Sequence, residues 1–272
     1  MSESLQIGML QMDAGPDKDE NLERVGEGTS DLGGSPDIVV TPEYMMGIID
    51  GKVTEELIQK NSEPLKSEYI STVRKIAEDH DVALLTTLYE EDEGEIYNTS
   101  VFIGRDGDLK GKYRKVHLFD AFGYKESDLF ARGGEVTVIE WKDLKIGLAT
   151  CFDLRFPELF RIMNSRDTDI VLIPSGFYEG EYKTEQWKAI INARAHENNF
   201  FVAGVNHPKP HFVGNSMVSS PLGYEVERFG GTEESGIVEL EIHDIAESEK
   251  RMPINELTQP NFYKRFAPYD GD

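Results

Sequence analysis

Cysteine is almost absent from this chain: Cys151 is the only one among 272 residues. A single thiol excludes an intrachain disulfide and a cysteine-built zinc site. Long hydrophobic runs are also missing, and no apolar stretch approaches the roughly 20 residues that a membrane-spanning helix needs. Basic residues are scarce, with 28 Lys and Arg against 51 Asp and Glu, a formal net charge of -23. Such a surface repels nucleic acid and anionic membranes. Met1-Ser-Glu-Ser at the start lacks the basic and apolar segments of a secretory signal. The expectation is a cytoplasmic protein with no nucleic-acid or membrane partner. No Pro/Gly/Ser-rich linker interrupts the chain, so one domain over 1–272 is expected.

What is there suffices for a large core: 39% hydrophobic and 10% aromatic residues. The acids are dispersed, with local clusters at Glu90-Glu-Asp-Glu-Gly-Glu95 and Glu233-Glu234. Dispersal reads as an acidic coat on a folded body rather than a disordered tail. Self-repulsion of this size destabilises a compact state unless salt screens it. A salt-rich cytoplasm is one reading of the charge; a merely acidic protein is the other.

Apolar runs and turn signals divide the chain into alternating elements. Leu5 to Met12 reads as a strand and Asn21 to Thr29 as a helix. Asp37-Ile-Val-Val-Thr-Pro-Glu-Tyr44 is a buried-type strand. A helix is expected to open at Ser62-Glu-Pro, and Val82 to Leu88 returns as a strand. Ile96–Gly104 and Leu109–Tyr113 flank Asp106-Gly107, a hairpin signal. Thr137–Trp141 and Lys145–Thr150 form a second hairpin. A helix runs from Pro157 to about Asn164, Asp169–Pro174 is a strand, and Glu185–Asn198 is a helix. Phe200–Val205, Ser216–Ser220 and Ile237–Ile242 close the set. The pattern predicts an α/β body with mixed parallel and antiparallel sheets. Asp37-Ile-Val-Val-Thr-Pro and Asp169-Ile-Val-Leu-Ile-Pro look alike, a hint of internal duplication too short to stand alone.

Three ionisable residues fall at the ends of apolar strands or just past them: Glu43, Lys115 and Cys151. Glu43 follows apolar residues and a proline and precedes Tyr44-Met-Met, so burial with a partner is expected. Lys112, Arg114 and Lys115 on their own could be a solvated edge. A lone cysteine is by default a small buried hydrophobe. Cys151, however, sits where a strand gives way to a helix, next to unpaired N–H groups and the positive end of a dipole, which favours thiolate. Together the three have the parts for acyl transfer: a sulfur nucleophile, a carboxylate base and an ammonium for charge developing on the attacked oxygen. Lys115 and the helix start would lower the thiol pKa, while an ionised Glu43 would oppose them.

Thr41-Pro-Glu43, Tyr113-Arg-Lys115-Val-His-Leu-Phe119 and Cys151-Phe-Asp-Leu-Arg-Phe-Pro-Glu158, in that order, resemble the three catalytic motifs of the nitrilase, or carbon–nitrogen hydrolase, superfamily. Tyr97-Asn98, Glu126-Ser127 before Gly133, Gly214-Asn-Ser216 and Arg251-Met-Pro253 also fit. The resemblance implies a four-layer α-β-β-α sandwich with Glu43, Lys115 and Cys151 converging at one end. It implies Glu126 as a second glutamate that holds the lysine or positions the substrate amide. It implies a dimer or larger homo-oligomer, with the helices after Cys151 and from Glu185 in the interface. The activity implied is hydrolysis of a small linear amide through a cysteine thioester, with Lys115 and the Phe152 backbone N–H as the oxyanion site and no metal or organic cofactor.

Cys-Phe-Asp-Leu-Arg-Phe-Pro-Glu-Leu resembles the branch of ω-amidases and some N-carbamoyl hydrolases more than true nitrilases. Arg155 suits a substrate carboxylate and equally an ion pair with Glu158 or another acid of its helix. Tyr44, Phe152 and Phe177 are candidates for the pocket wall or for the core. A Cys–His protease using His117 would leave Glu43 and Lys115 unexplained. In His207-Pro-Lys-Pro-His211, prolines break the helix that would bring both rings to one metal. A catalytically silent binding protein of the same fold is the remaining class.

Overall fold

The structure is a computed structural model that describes residues 4–266. In chain order its elements are β1 (Ser4–Gln11), α1 (Lys18–Asp31), β2 (Ile38–Val40), α2 (Glu55–Asn61), α3 (Glu68–His80), β3 (Ala83–Asp92), β4 (Glu95–Ile103) and β5 (Leu109–Arg114). A small hairpin follows, β6 (Asp120–Ala121) and β7 (Tyr124–Lys125), then β8 (Thr137–Trp141), β9 (Leu144–Leu148) and α4 (Pro157–Asn164). The remainder is β10 (Ile170–Ser175), α5 (Lys183–His196), β11 (Phe201–Asn206), β12 (Met217–Ser219), β13 (Glu225–Arg228), β14 (Glu234–Glu241), α6 (His243–Arg251), α7 (Ile254–Leu257) and α8 (Pro260–Phe266). Among the described residues no helix is long and apolar enough to cross a membrane.

Two six-stranded sheets form the centre, in the orders β14-β1-β2-β3-β4-β5 and β13-β12-β11-β10-β9-β8. In each, three strands run parallel and the flanking pairs are antiparallel. Side chains that alternate along a strand go to different layers. In β3, Ala83 and Leu85 join the core between the sheets, whereas Leu84 and Leu88 join the core beneath α1 and α3. On the other side Phe160, Met163, Trp187 and Ile191 of α4 and α5 cover the second sheet. Strands covered on both faces read as continuous apolar runs, which is why β2 and β10 carry so little polar punctuation. This is the expected α-β-β-α sandwich.

The similar strands at Asp37 and Asp169 occupy equivalent places. The run β1-β2-β3-β4-β5 has the same pairing directions as β9-β10-β11-β12-β13. Asp37 accepts a hydrogen bond from Gln6 N at 3.0 Å and Asp169 one from Lys145 N at 2.7 Å, each reaching back to the preceding parallel strand. The short sequence match therefore marks a repeated half-fold.

Two expectations are corrected. The helix expected at Ser62 begins at Glu68, capped by Ser67, whose hydroxyl accepts from Ile70 N. Ser62 instead ends α2, whose start carries Thr54 as cap and Glu55 and Glu56 in the first turn. Both serines satisfy the local capping rule, and docking of Tyr69, Val73 and Ile76 into the core selects the second. The buried strand expected over 37–44 is regular only over Ile38–Val40; Pro42 cannot donate to a ladder, and the chain leaves the sheet there.

Candidate active site

Glu43 lies three residues past β2, Lys115 immediately past β5 and Cys151 three residues past β9. All three are buried: Glu43 is 0% exposed, Lys115 1% and Cys151 7%. Lys115 Nζ donates to Glu43 Oε1 at 2.7 Å and to Glu126 Oε2 at 2.8 Å. Glu126, also 0% exposed, follows the β6–β7 hairpin, and its Oε2 accepts from Phe119 N at 2.7 Å. Asn98 on β4 bridges the two acids, donating from Nδ2 to Glu43 Oε1 at 2.8 Å and to Glu126 Oε1 at 2.9 Å. The Tyr44 hydroxyl donates to Glu126 Oε1 at 3.2 Å, and Gly176 N donates to Glu43 Oε2 at 2.9 Å.

The backbone makes this convergence possible. The strand end after β10 grips Glu43 on two sides, through Gly176 N and through Ser175 O, which accepts from Glu43 N at 3.3 Å. A Cβ at Gly176 would stand 3.0 Å from the Tyr44 ring, so a larger residue would press on the wall of the site. His207 bridges the carbonyls of Met12, at 3.0 Å from Nδ1, and Glu43, at 2.5 Å from Nε2, and so is engaged in holding the glutamate loop. Gly133 N donates to Lys115 O at 2.9 Å, and a Cβ there would fall 2.0 Å from Arg114 O. Tyr44 and Cys151 both hold left-handed backbone angles, φ 62° and 42°, which non-glycine residues adopt at a cost and mainly where the surroundings fix them.

Cys151 opens a 3-10 turn, Cys151–Arg155, and α4 begins only at Pro157. Asp153 in this turn is fully buried and accepts four hydrogen bonds: from Thr150 N (2.9 Å), the Tyr113 hydroxyl (2.8 Å), His117 N (3.1 Å) and His117 Nδ1 (2.7 Å). The His117 ring stacks on Phe156 at 3.7 Å between centroids. Asp153 thus fastens the nucleophile turn to the lysine loop.

The electrostatics correct one expectation. Burial pushes the Cys151 thiol well up, and the Glu43 carboxylate pushes it further; Lys115 and the Gly176 N–H pull it down without offsetting them. Burial and the Glu43 carboxylate therefore work against the thiolate that the start of a helix was expected to favour. Burial, with Glu126 nearby, also raises Glu43 above the usual carboxylate range against the pull of Lys115 and Asn98. Lys115 would be discharged by burial alone, but Glu126 and Glu43 hold it as an ammonium. A buried cation between two carboxylates leaves one excess negative charge, which disposes Glu43 to accept a proton.

The space beside the sulfur is small, about 20 Å³, with room for about one water. Tyr44, Lys115, Phe152, Arg155 and Phe177 all line it. Sequence reading missed Phe119, Tyr178 and Lys183, which complete the wall and also line an outer cavity of about 580 Å³. It also missed Asn98 as a bridge and Asp153 as a clamp. Asn98 lay inside a quoted motif and Asp153 two residues from Cys151, so a signal existed; nothing in the sequence marks Lys183.

A family model described as carbon–nitrogen hydrolase matches residues 6–250. The chain is 29% identical over 249 residues to an (R)-stereoselective amidase of Pseudomonas, covering 89% of this chain and 86% of that protein. It is 26% identical over 269 residues to omega-amidase NIT2 of Xenopus tropicalis, covering 94% and 96%. Among solved structures, Saccharomyces cerevisiae Nit3, described as a member of branch 10 of the nitrilase superfamily, superposes with a TM-score of 0.84 at 27% identity over 96% of this chain and 97% of that one. With sandwich, motif order and family match in agreement, this chain belongs to the carbon–nitrogen hydrolase family of the nitrilase superfamily.

Proposed function

We propose that this protein is an amidase that hydrolyses a small linear amide to a carboxylic acid and ammonia through a thioester on Cys151. The observation that carries the reading is the Lys115 ammonium, 2.7 Å from the Glu43 carboxylate, on the wall of the space that holds the sulfur. Glu43 takes the thiol proton as the sulfur attacks the amide carbonyl carbon. Lys115 and the Phe152 N–H stabilise the oxyanion. Glu43 then gives its proton to the nitrogen, the C–N bond breaks and ammonia leaves. Glu43 next removes a proton from water; the hydroxide attacks the thioester, and the acid departs as the thiol is restored.

A thiol whose proton affinity is raised by burial suits this scheme, since proton transfer to Glu43 accompanies attack. Glu126 and Asn98 are positioning residues here: Glu126 holds Lys115 and keeps it charged, and Asn98 ties Glu43 to Glu126. The amidases among the relatives support the same reading.

The test is ammonia and acid release from a panel of linear ω-amides and N-carbamoyl amino acids. Wild type should release ammonia from amides, and Cys151→Ala should release none while keeping its melting temperature. Undiminished turnover by Cys151→Ala, or loss of activity to a chelator rather than to a thiol alkylator, would overturn the assignment.

A further inference from the structure

His207 is fully buried, and both of its ring nitrogens face backbone carbonyls. Nδ1 is 3.0 Å from Met12 O, just past the end of β1, and Nε2 is 2.5 Å from Glu43 O, past the end of β2. The residue itself follows β11, in the other sheet. Its backbone is fixed on both sides: His207 N donates to Asn206 Oδ1 at 3.0 Å, and its carbonyl accepts from Gly214 N at 3.0 Å. Asn206 Oδ1 also accepts from Phe177 N at 2.9 Å. The two residues at the end of β11 thus reach both the Gly176–Phe177 segment and the glutamate loop, which meet where Gly176 N donates to Glu43 Oε2.

A carbonyl oxygen only accepts, and a neutral imidazole has one N–H. Burial holds the ring below the ordinary histidine value, and the Arg24 guanidinium works in the same direction; the Glu43 and Met12 carbonyls and the charge of Asp13 pull against them without offsetting them. The ring therefore carries one proton at neutral pH. The distances say which nitrogen holds it. Lone pairs facing each other at 2.5 Å repel more than at 3.0 Å, so the proton belongs on Nε2 and the bond goes to Glu43 O.

Glu43 is then held at three points: its carboxylate by Gly176 N, its N–H by Ser175 O and its carbonyl by His207. The third point bears on the peptide between Glu43 and Tyr44, whose left-handed backbone persists only where its surroundings fix it. We propose that His207 is a positioning residue for the base: its Nε2–H pins the Glu43 carbonyl, fixes the peptide leading into Tyr44 and so sets the place of the Glu43 carboxylate beside Lys115. This rests on the amidase reading only for the role of Glu43 as the base.

The experiment compares two variants of the full chain. The side-chain amide of Asn stands near the place of Nδ1, and that of Gln near the place of Nε2. His207→Asn should lose the bond to Glu43 O and lower kcat about 10- to 100-fold with little change in KM, the scale of a displacement near 1 Å. His207→Gln should restore most of that kcat, although both variants give up the ring and should melt at similar temperatures. Because the Glu43 carboxylate raises the Cys151 pKa, a displaced carboxylate should also move the pH profile of iodoacetamide labelling down by about half a unit in His207→Asn and not in His207→Gln. In wild type, NMR of nitrogen-labelled histidine, with His207→Gln to identify the signal, should find a proton on Nε2 at neutral pH. Equal kcat and equal labelling in the two variants, or an Nε2 without its proton, would overturn the proposal. If wild type hydrolyses no amide while the labelling profile shifts in His207→Asn alone, the positioning role stands and the amidase reading falls. If the profile shifts in neither variant, the positioning role falls whatever the turnover.

Discussion

The Tyr113 hydroxyl donates to Asp153 Oδ2 at 2.8 Å, which joins the strand leading to Lys115 to the turn beginning at Cys151. The bond is buried at both ends and links residues 40 apart in the chain. A carboxylate that takes no part in the proposed proton transfers therefore ties the backbone segments that carry the ammonium and the sulfur.

Asp153→Asn should keep the fold and lose the alignment. An amide supplies one acceptor where four donors now converge, and leaving buried donors unpaired costs about 2–3 kcal/mol. A displacement near 1 Å at the nucleophile is worth up to roughly a hundredfold in rate. The expected outcome is a lower melting temperature and a kcat reduced about 10- to 100-fold with little change in KM. Steady-state kinetics beside thermal unfolding checks this; a change confined to KM would contradict the positioning role.

The pH dependence follows from the directions of the shifts. Turnover needs Glu43 ionised, and its pKa is raised by burial and by Glu126. Activity should thus fall on acidification at a pH above the ordinary carboxylate value near ~4.3. Because burial and Glu43 hold the thiol up, alkylation of Cys151 by iodoacetamide should still be climbing at about pH 9, the ordinary thiol having a pKa near ~8.5. Labelling rates against pH, read by intact mass, decide the point; a plateau by neutrality would show that Lys115 and the Gly176 N–H outweigh burial.

Glu90 offers a stability test away from the chemistry. It is 1% exposed and accepts from Arg114 Nε and Nη2, both at 2.8 Å, and from the Thr99 hydroxyl at 2.8 Å. Burial raises its pKa, but Arg114, Lys112 and Thr99 more than offset that, and the net shift is downward. A carboxylate depressed in the folded state contributes stability that is present above its unfolded pKa of about 4.3 and is lost as pH falls through the folded value. Glu90→Gln should cost about 2 kcal/mol at pH 7, less than the ~3–5 of a fully buried pair because its cations reach water. The difference from wild type should vanish in strong acid; a difference that persisted there would mean packing, not charge, is responsible.

The charge of -23 yields a salt prediction. If the acidic coat is an adaptation to a salt-rich interior, melting temperature and activity should both rise from dilute buffer to molar salt as screening relieves self-repulsion. Thermal scans across a KCl series test it, and equal stability in dilute buffer would count against the adaptation.

The sequence alone settled the α/β class, the order of most strands and three motifs, because those depend on local periodicity and turn chemistry. It placed Glu43, Lys115 and Cys151 at strand ends or just past them, where a polar group that follows an apolar run can meet a partner. It even carried the repeat, in two aspartates that hydrogen-bond alike. The structure decided what depends on distant parts meeting: which of Ser62 and Ser67 starts a helix, the burial that raises the Cys151 pKa, the Asn98 bridge, the Asp153 clamp and the arrival of Lys183 beside the sulfur. None of these has a local signature, because packing between elements far apart in the chain sets burial, and burial sets both proton affinity and the choice of partner.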